Sequence, residues 1–494
     1  MNYSMIRYIL CSVLSFEGIF LLLPAAVSGI YGEKEGITYL IVAAASIIIG
    51  MSGRIRKPKS NVFYSREGFA AVSLSWIVLS FVGALPMYFT GEFPTYIDAL
   101  FETISGFTTT GSSILSNVEA LSRGTAFWRC FTHWIGGMGV LVFIMAVLPL
   151  SGGSNMHLMR AESPGPSVGK LVPKVKRTAM ILYGIYVWIT CIEVIALLIA
   201  GMPLFDSMTL TFATVGTGGF GLLNSSIASY SMAVQIIITV FMIICSINFN
   251  FYYLLLIKKP KEALLTEEVR YFLVIVFASA ILIMINIKDS FSSLFEAFHT
   301  ALFQVASIIS TTGFSTADFN VWPEFSKTIL VLLMFVGACA GSTGGGFKVS
   351  RLLILIKSIK NEILSIVHPR SVKKVHMNGR VLQESVVRAV LCYLAAYVVV
   401  IIASLLLISL DNFDMTTNFT AVMGTFNNIG PGLNVVGPTG NFGGYSDFSK
   451  VVLMFDMLVG RLELLPMLVL FVPGMWKLPA RKFEKKQKIK HSKN

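Results

Sequence analysis

The chain is poor in charge: Asp, Glu, Lys and Arg make up 13% of its 494 residues, against 55% hydrophobic residues. That balance excludes packing as a water-soluble globule and makes the lipid bilayer the expected solvent. Cysteine and histidine are scarce too. The six cysteines (Cys11, Cys130, Cys191, Cys245, Cys339, Cys392) show no CxxC or Cys/His spacing, and the six histidines form no i, i+4 pair. Disulfides, zinc and a hydrolytic metal centre are therefore not expected. A membrane enzyme would need His, Asp or Glu clustered at the membrane edge, and the acids here are dispersed.

What is abundant is long apolar sequence. A spanning helix needs about 20 largely apolar residues to cross about 30 Å of hydrocarbon. Ten stretches qualify: 5–30, 37–52, 68–90, 126–150, 178–200, 232–257, 269–287, 326–346, 384–410 and 449–473. The net charge of +13 is concentrated, because 31 of the 39 Lys and Arg fall in 53–66, 151–177, 258–270, 347–388 and the tail from Lys477. These segments share one parity between spans. That is the positive-inside pattern of a multi-pass membrane protein with both termini in the cytoplasm, its basic segments 151–177 and 347–388 either docking an acidic soluble ring or touching anionic lipid, and it excludes a nucleic-acid groove. The opposite loops carry Glu92, Glu119, Asp318, Glu324, Asp411 and Asp447, read either as a cation-attracting mouth or as ordinary solvated acids. Pro24 to Gly29 imitate a signal-peptidase site, but Glu17 interrupts the apolar region and a second span follows, so a retained helix is expected.

Internal repetition supplies the next step. Residues 98–111 (DALFETISGFTTTG) align without gaps to 300–313 (TALFQVASIISTTG), with seven of fourteen columns identical. Weaker copies end at Gly219 and Gly430. Each copy lies between two spans, and its apolar part is too short to cross, so it is expected to re-enter. Asp98, Asp206, Thr300 and Thr417 stand thirteen residues before the glycines and are expected to cap short inward helices at their N-termini. Such helices aim a partially negative C-terminal end at the membrane midplane.

The segments that follow are Thr108 to Gly111, Val215 to Gly219, Ser310 to Gly313 and Asn427 to Gly430. Non-helical backbone at that depth is tolerated only where it lines a protected or watery cavity. Its carbonyls can replace the hydration shell of a monovalent cation, and glycine gives the backbone freedom to aim them. The candidate ligands are Thr109, Thr110 and Gly111; Gly218 and Gly219; Thr311, Thr312 and Gly313; and Asn428, Ile429 and Gly430. The fold class expected is all-α integral membrane, with ten transmembrane helices and four re-entrant pore loops. Its parts are two leading helices (1–66), four helix–pore loop–helix units around a pseudo-fourfold pore (67–177, 178–266, 267–382, 383–476) and a basic tail (477–494).

Two features fall outside the repeat. Gly341-Ser342-Thr343-Gly344-Gly345-Gly346 cannot hold an interior helix well, so a break is expected, with close helix packing as the alternative. A phosphate-loop reading fails because Lys348 follows Phe347 and Val349 stands where Ser or Thr is required, so no nucleotide site is expected. Lys348 is then expected to be the first cytoplasmic base, with a cavity residue as the alternative. Arg461 lies near the middle of the last span, where a charge costs from about 2.5 to above 10 kcal/mol. It is expected to face the pore, to pair with Asp456 or Glu463, or to snorkel.

These strings, above all Ser310 to Ser315, Gly337 to Lys348, Asn427 to Gly432 and Gly460 to Glu463, resemble the Trk/Ktr/HKT superfamily of potassium transporters, and most closely its bacterial Trk branch, over essentially the whole chain. The resemblance implies that Gly111, Gly219, Gly313 and Gly430 surround a transported potassium ion. Gly111, in place of the serine of sodium-permeable plant members, implies potassium preference. In the second loop Thr214 to Gly218 is similar to the potassium-channel signature, so Gly216, Gly218 and Gly219 compete for register, and the Gly-Phe shared with the third loop selects Gly219. Gly221 departs from the hydroxyl residue of the third loop, which puts a supporting hydrogen bond in doubt. The resemblance further implies that the 341–346 loop closes the pathway below the ion, and Arg461 and Lys348 are the charged residues grouped with it as the expected gate. It also implies a homodimer and a cytosolic TrkA-type subunit that binds ATP or NAD. Alternatives are the channel-like subunit of a potassium pump and a member passing both sodium and potassium.

Overall fold

The computed structural model describes residues 1–56, 58, 65–139, 175–370 and 373–476. The segment 151–174 and the tail from 477, both expected to be cytoplasmic, lie outside the described residues. Among the described residues the β-structure is one two-stranded hairpin, His376–Met377 against Arg380–Val381. Everything else of regular structure is helical.

Two helices lead, α1 (Tyr3–Tyr31) and α2 (Glu35–Ile55). They pack through small residues: a Cβ added at Gly50 would lie 2.3 Å from the Ser15 hydroxyl, and one at Gly18 2.8 Å from the Ala43 carbonyl oxygen. Close backbone approach through small residues is the usual means of helix association in lipid. Pro24 to Gly29 lie within the continuous helix α1.

Four units follow, each a long helix, a short helix, an extended segment and a second helix. They are α3 (Ser65–Phe89), α4 (Tyr96–Phe107) and α5 (Arg123–Met138); then α6 (Val175–Ile199), α7 (Leu204–Val215) and α8 (Met232–Ser246) with α9 (Phe249–Leu256). The third unit is α10 (Glu267–Ile287), α11 (Leu294–Ile309), α12 (Glu324–Val336) and α13 (Val349–Val367). The fourth is α14 (Glu384–Ile408), α15 (Met415–Phe426), α16 (Asp447–Leu462) and α17 (Leu464–Val469).

Among the described residues six of the ten apolar stretches are helices long and apolar enough to cross a bilayer, and the other four hold second helices that are shorter or interrupted within those residues. The stretch 232–257 bends by 90° between α8 and α9. The stretch 326–346 stops at Val336, where Gly337 takes φ +69°. The stretch 449–473 breaks at Glu463, with φ +70°. Helix α5 ends at Gly139, φ +75°, beyond which the stretch 126–150 leaves the described residues. Hydropathy does not register these breaks because apolar sequence continues across them.

The outward faces are apolar. Trp188, Ile195 and Ile199 on α6, Val274 and Ile285 on α10, and Val399 and Leu406 on α14 are exposed. Carboxyl and guanidinium groups such as Glu17, Glu102, Arg129 and Glu193 are buried inside. This inversion fits a hydrocarbon surround.

The short helices are capped elsewhere than expected. Thr95, not Asp98, caps α4: its hydroxyl accepts from the Asp98 N–H at 3.1 Å and donates back to the Asp98 carboxylate at 2.9 Å. Pro203 precedes α7 and Asp206 sits in its first turn. Ser293 caps α11, which leaves Thr300 in mid-helix, and Asp414 caps α15 by accepting from the Thr417 N–H at 3.0 Å. Acidic and hydroxyl residues also suit the third helical position, which explains the three-residue offset at Asp98, Asp206 and Thr417. The offset at Thr300 is larger because α11 begins a turn earlier.

Candidate ion pathway

The four short helices end in one motif. After each, an N–H bonds five residues back: Thr110 to Ser105 O at 2.9 Å, Gly218 to Ala213 O at 2.8 Å, Thr312 to Ser307 O at 2.9 Å and Ile429 to Gly424 O at 2.8 Å. These Schellman caps need a left-handed residue, and Thr109 (φ +56°), Thr217 (+55°), Thr311 (+61°) and Asn428 (+55°) supply it. A β-branched residue there costs about 1–2 kcal/mol, strain of the kind that functional sites hold in place. Two residues later come Gly111 (φ +80°), Gly219 (+80°), Gly313 (+84°) and Gly430 (+97°). The second loop therefore has Gly219 at the register of the other three glycines, with Thr217 at that of Thr109. Thr217 was absent from the sequence-based set because the surrounding glycines drew the register away from it.

The four glycines form a closed ring. A Cβ added at Gly111 would lie 2.0 Å from Gly218 O; at Gly219, 1.9 Å from Thr312 O; at Gly313, 2.1 Å from Ile429 O; at Gly430, 2.8 Å from Thr110 O. Each glycine thus abuts the carbonyl preceding the glycine of the next loop, in the order one, two, three, four, one. A side chain at any of them would displace a neighbour's carbonyl. On one side the ring opens into a cavity of about 160 Å³, lined by all four glycines and by residues such as Ser112, Phe220 and Ser315.

None of the acids expected at the mouth lines this cavity. Several clasp loops instead. Glu92 accepts from the Ser122 N–H at 2.6 Å, Glu119 from the Asn224 N–H at 2.9 Å and Asp411 from the Ser446 N–H at 2.8 Å.

The other side of the ring is covered by residues 337–348. The Gly345 N–H donates to Thr311 Oγ1 at 2.6 Å. Cβ atoms added at Gly344 and Gly345 would lie 2.7 Å from Ser310 O and 2.6 Å from Asn427 O, so these positions leave no room for a side chain. The segment is tied to α8 by the Cys339 N–H bond to Ser246 O (3.1 Å) and the Thr343 hydroxyl bond to Cys245 O (3.1 Å), and to α9 by the Phe249 N–H bond to Gly341 O (2.9 Å). Ser342 turns back on Cys339 O (2.6 Å), and Gly346 has φ +78°.

Two cations lie beneath. Arg461 donates to Thr343 O at 2.7 Å, Gly136 O at 2.5 Å and Gly137 O at 2.8 Å, joining the glycine-rich segment to the end of α5. Lys348 is buried and donates to Gly344 O, so it is not an exposed cytoplasmic base. The neighbouring acids have other bonds: Glu463 pairs with Arg351, whose guanidinium stacks 3.9 Å from the Tyr393 ring centroid, and Asp456 accepts from Ser404 at 2.7 Å. Glu268, which the sequence did not single out, holds both ends of the segment, accepting from the Ala340 N–H at 2.7 Å and the Ser350 N–H at 3.1 Å. Its partners are more than 70 residues away in sequence, so no local pattern marks it.

Residues 37–485, which contain the ring and the segment beneath it, match the family model "TrkH: Cation transport protein". The chain is 37% identical over 479 residues to the Trk system potassium uptake protein TrkH of Salmonella typhimurium, covering 94% of this chain and 97% of that protein. An uncharacterized cation transporter of Methanocaldococcus jannaschii is 31% identical over 94% of each chain. The crystal structure of the potassium transporter TrkH from Vibrio parahaemolyticus superposes with a TM-score of 0.87 at 32% identity, over 97% of this chain and 100% of that one. With its helical membrane fold and ring of repeated glycines, the chain belongs to the TrkH family of cation transport proteins, as a Trk-type potassium transporter and not an enzyme.

Proposed function

We propose that this chain carries potassium into the cell across the bacterial cytoplasmic membrane, through a filter formed by the carbonyls around Gly111, Gly219, Gly313 and Gly430. The ten spans of the sequence reading then include four broken second helices, the short helices are re-entrant, and both termini face the cytoplasm. The observation that carries this reading is the closed ring, in which Thr110, Gly218, Thr312 and Ile429 present carbonyl oxygens to the neighbouring glycines.

Moving a bare monovalent ion into low dielectric costs on the order of 20 kcal/mol, so the pathway must replace the lost water oxygens. Among the described residues no three His, Cys, Asp or Glu side chains converge, which leaves backbone and hydroxyl oxygens to do so. The negative ends of α4, α7, α11 and α15 add to the attraction. Strained caps fix the ring, and that rigidity favours one ion size over another.

Beneath the ring, 341–346 is the gate. Gly344 and Gly345 close on the third and fourth loops, while Arg461 and Lys348 set positive charge in the path. Opening requires the segment to leave Thr311 and Arg461 to leave Thr343. A cytosolic nucleotide-sensing subunit of the TrkA type, acting on a homodimer through the basic 347–388 region, drives that movement; resemblance to the family supports this part.

The test is flux in proteoliposomes of purified protein at low millimolar ion. Potassium and rubidium are expected to enter about tenfold or more faster than sodium. Equal sodium and potassium flux would overturn the selective ring.

A further inference from the structure

We propose that Arg129 and His133 on α5, together with Glu102 on α4, form a clamp behind the filter that sets the spacing of its first two loops and hence its discrimination among monovalent cations. The proposal rests on the filter reading above.

Arg129 and His133 are four residues apart and share one helix face. Both close on Phe220, the residue after Gly219. The Arg129 guanidinium lies 4.1 Å from the Phe220 ring centroid, and the His133 ring lies 4.3 Å from it, centroid to centroid. The Phe220 N–H donates to His133 Nε2 at 3.2 Å, while Nδ1 stands 2.8 Å from Gly106 O at the end of α4. These partners assign a neutral imidazole with its proton on Nδ1, donating to Gly106 O. One ring therefore ties the first short helix to the second loop.

The ion pair makes a second tie. Arg129 directs Nε (2.9 Å) and Nη2 (2.5 Å) at one oxygen of Glu102. The same carboxylate accepts from the Ser113 hydroxyl at 2.9 Å and the Ile114 N–H at 3.1 Å, just beyond Gly111. Loop one is thus fixed to Glu102 and loop two to Arg129, and the pair sets the distance between them. Both side chains are buried, at 0% and 2% exposure. An apolar pair of similar volume is often as stable as a buried ion pair, so stability alone does not call for these charges. Geometry does, because a charged, hydrogen-bonded fork tolerates less displacement than apolar contact.

The third loop shows the contrast. Phe314 follows Gly313 as Phe220 follows Gly219, and both rings belong to one apolar cluster with Phe303 and Ala306, but Phe314 is tied by a neutral bond, its carbonyl accepting from the Ser307 hydroxyl at 2.5 Å. Gln304 stands where α4 has Glu102.

The experiment measures rubidium and sodium uptake side by side in proteoliposomes for wild type, Glu102→Gln, Arg129→Gln and Arg129→Lys. Thermal unfolding of each detergent-purified variant serves as the control for assembly. In assembled Glu102→Gln and Arg129→Gln the rubidium-to-sodium ratio is expected to fall about tenfold, with Arg129→Lys between them and wild type. A purely structural role would lower both fluxes together and leave the ratio at its wild-type value, which would overturn the clamp. Should the charge variants not assemble, Phe220→Leu, which leaves both charges paired, carries the same expectation and the same overturning result. A wild-type protein that does not discriminate would take the filter reading down first, and the clamp with it.

Discussion

Behind Gly111 and Gly219 stand a buried ion pair and a histidine, whereas the ties behind Gly313 and Gly430 are neutral, Ser307 to Phe314 O at 2.5 Å and Tyr397 to Asn427 at 2.9 Å, and the glycine-rich segment presses on the third and fourth loops from below. Backbone geometry is the same around the ring, down to the left-handed residue two places before each glycine. What differs is the support. The first half is held by a charged pair as well as hydrogen bonds, and the second half by neutral hydrogen bonds and by the segment proposed to move. A transporter needs both properties, a site rigid enough to select and a floor able to withdraw, and here they are assigned to different quadrants. Arg461 links the two halves, reaching Thr343 on one side and Gly136 and Gly137 on the other.

The largest effects are expected inside the ring. A Cβ at Gly219 would meet Thr312 O at 1.9 Å, and one at Gly430 would meet Thr110 O at 2.8 Å. Gly219→Ala is therefore expected to cut rubidium uptake by about 100-fold or more and Gly430→Ala by about tenfold, each adding a positive-φ cost of about 1–2 kcal/mol. Equal losses would show that the ring is mechanically uniform. Next comes the link between the halves: Arg461→Ala is expected to raise rubidium flux about fivefold by freeing Thr343, and unchanged flux would remove Arg461 from the gate. Glu268→Gln keeps one acceptor for the Ala340 and Ser350 N–H groups, so basal flux is expected to rise only about twofold. Smallest is Asp414→Ala, which removes the cap of α15 at a cost of about 1 kcal/mol, read as a lower unfolding midpoint.

Sequence carried the pathway better than its supports. The match between 98–111 and 300–313 located the ring, because glycine at positive φ beside a neighbour's carbonyl leaves little freedom of residue type. Lys348 stayed ambiguous, since apolar sequence on both sides does not tell a cavity from an interface. Helix caps slipped by a turn, because Thr95 and Asp98 both suit the first turn of α4 and only the backbone shows which one ends it. The break at Glu463 gave no signal, as a non-glycine residue at φ +70° is held there by tertiary contacts. Glu102 with Arg129, and Glu268 with Ala340, join residues 27 and 72 apart, and a single sequence does not pair them.

The most direct test of the central claim is the sodium-to-potassium permeability ratio of Gly313→Ser, set against wild type in reconstituted membranes. If the four glycines surround the ion, a side chain placed 2.1 Å from Ile429 O distorts the ring. The ratio is then expected to rise about tenfold. A wild-type ratio in the assembled variant would mean that Gly313 does not line the selective site.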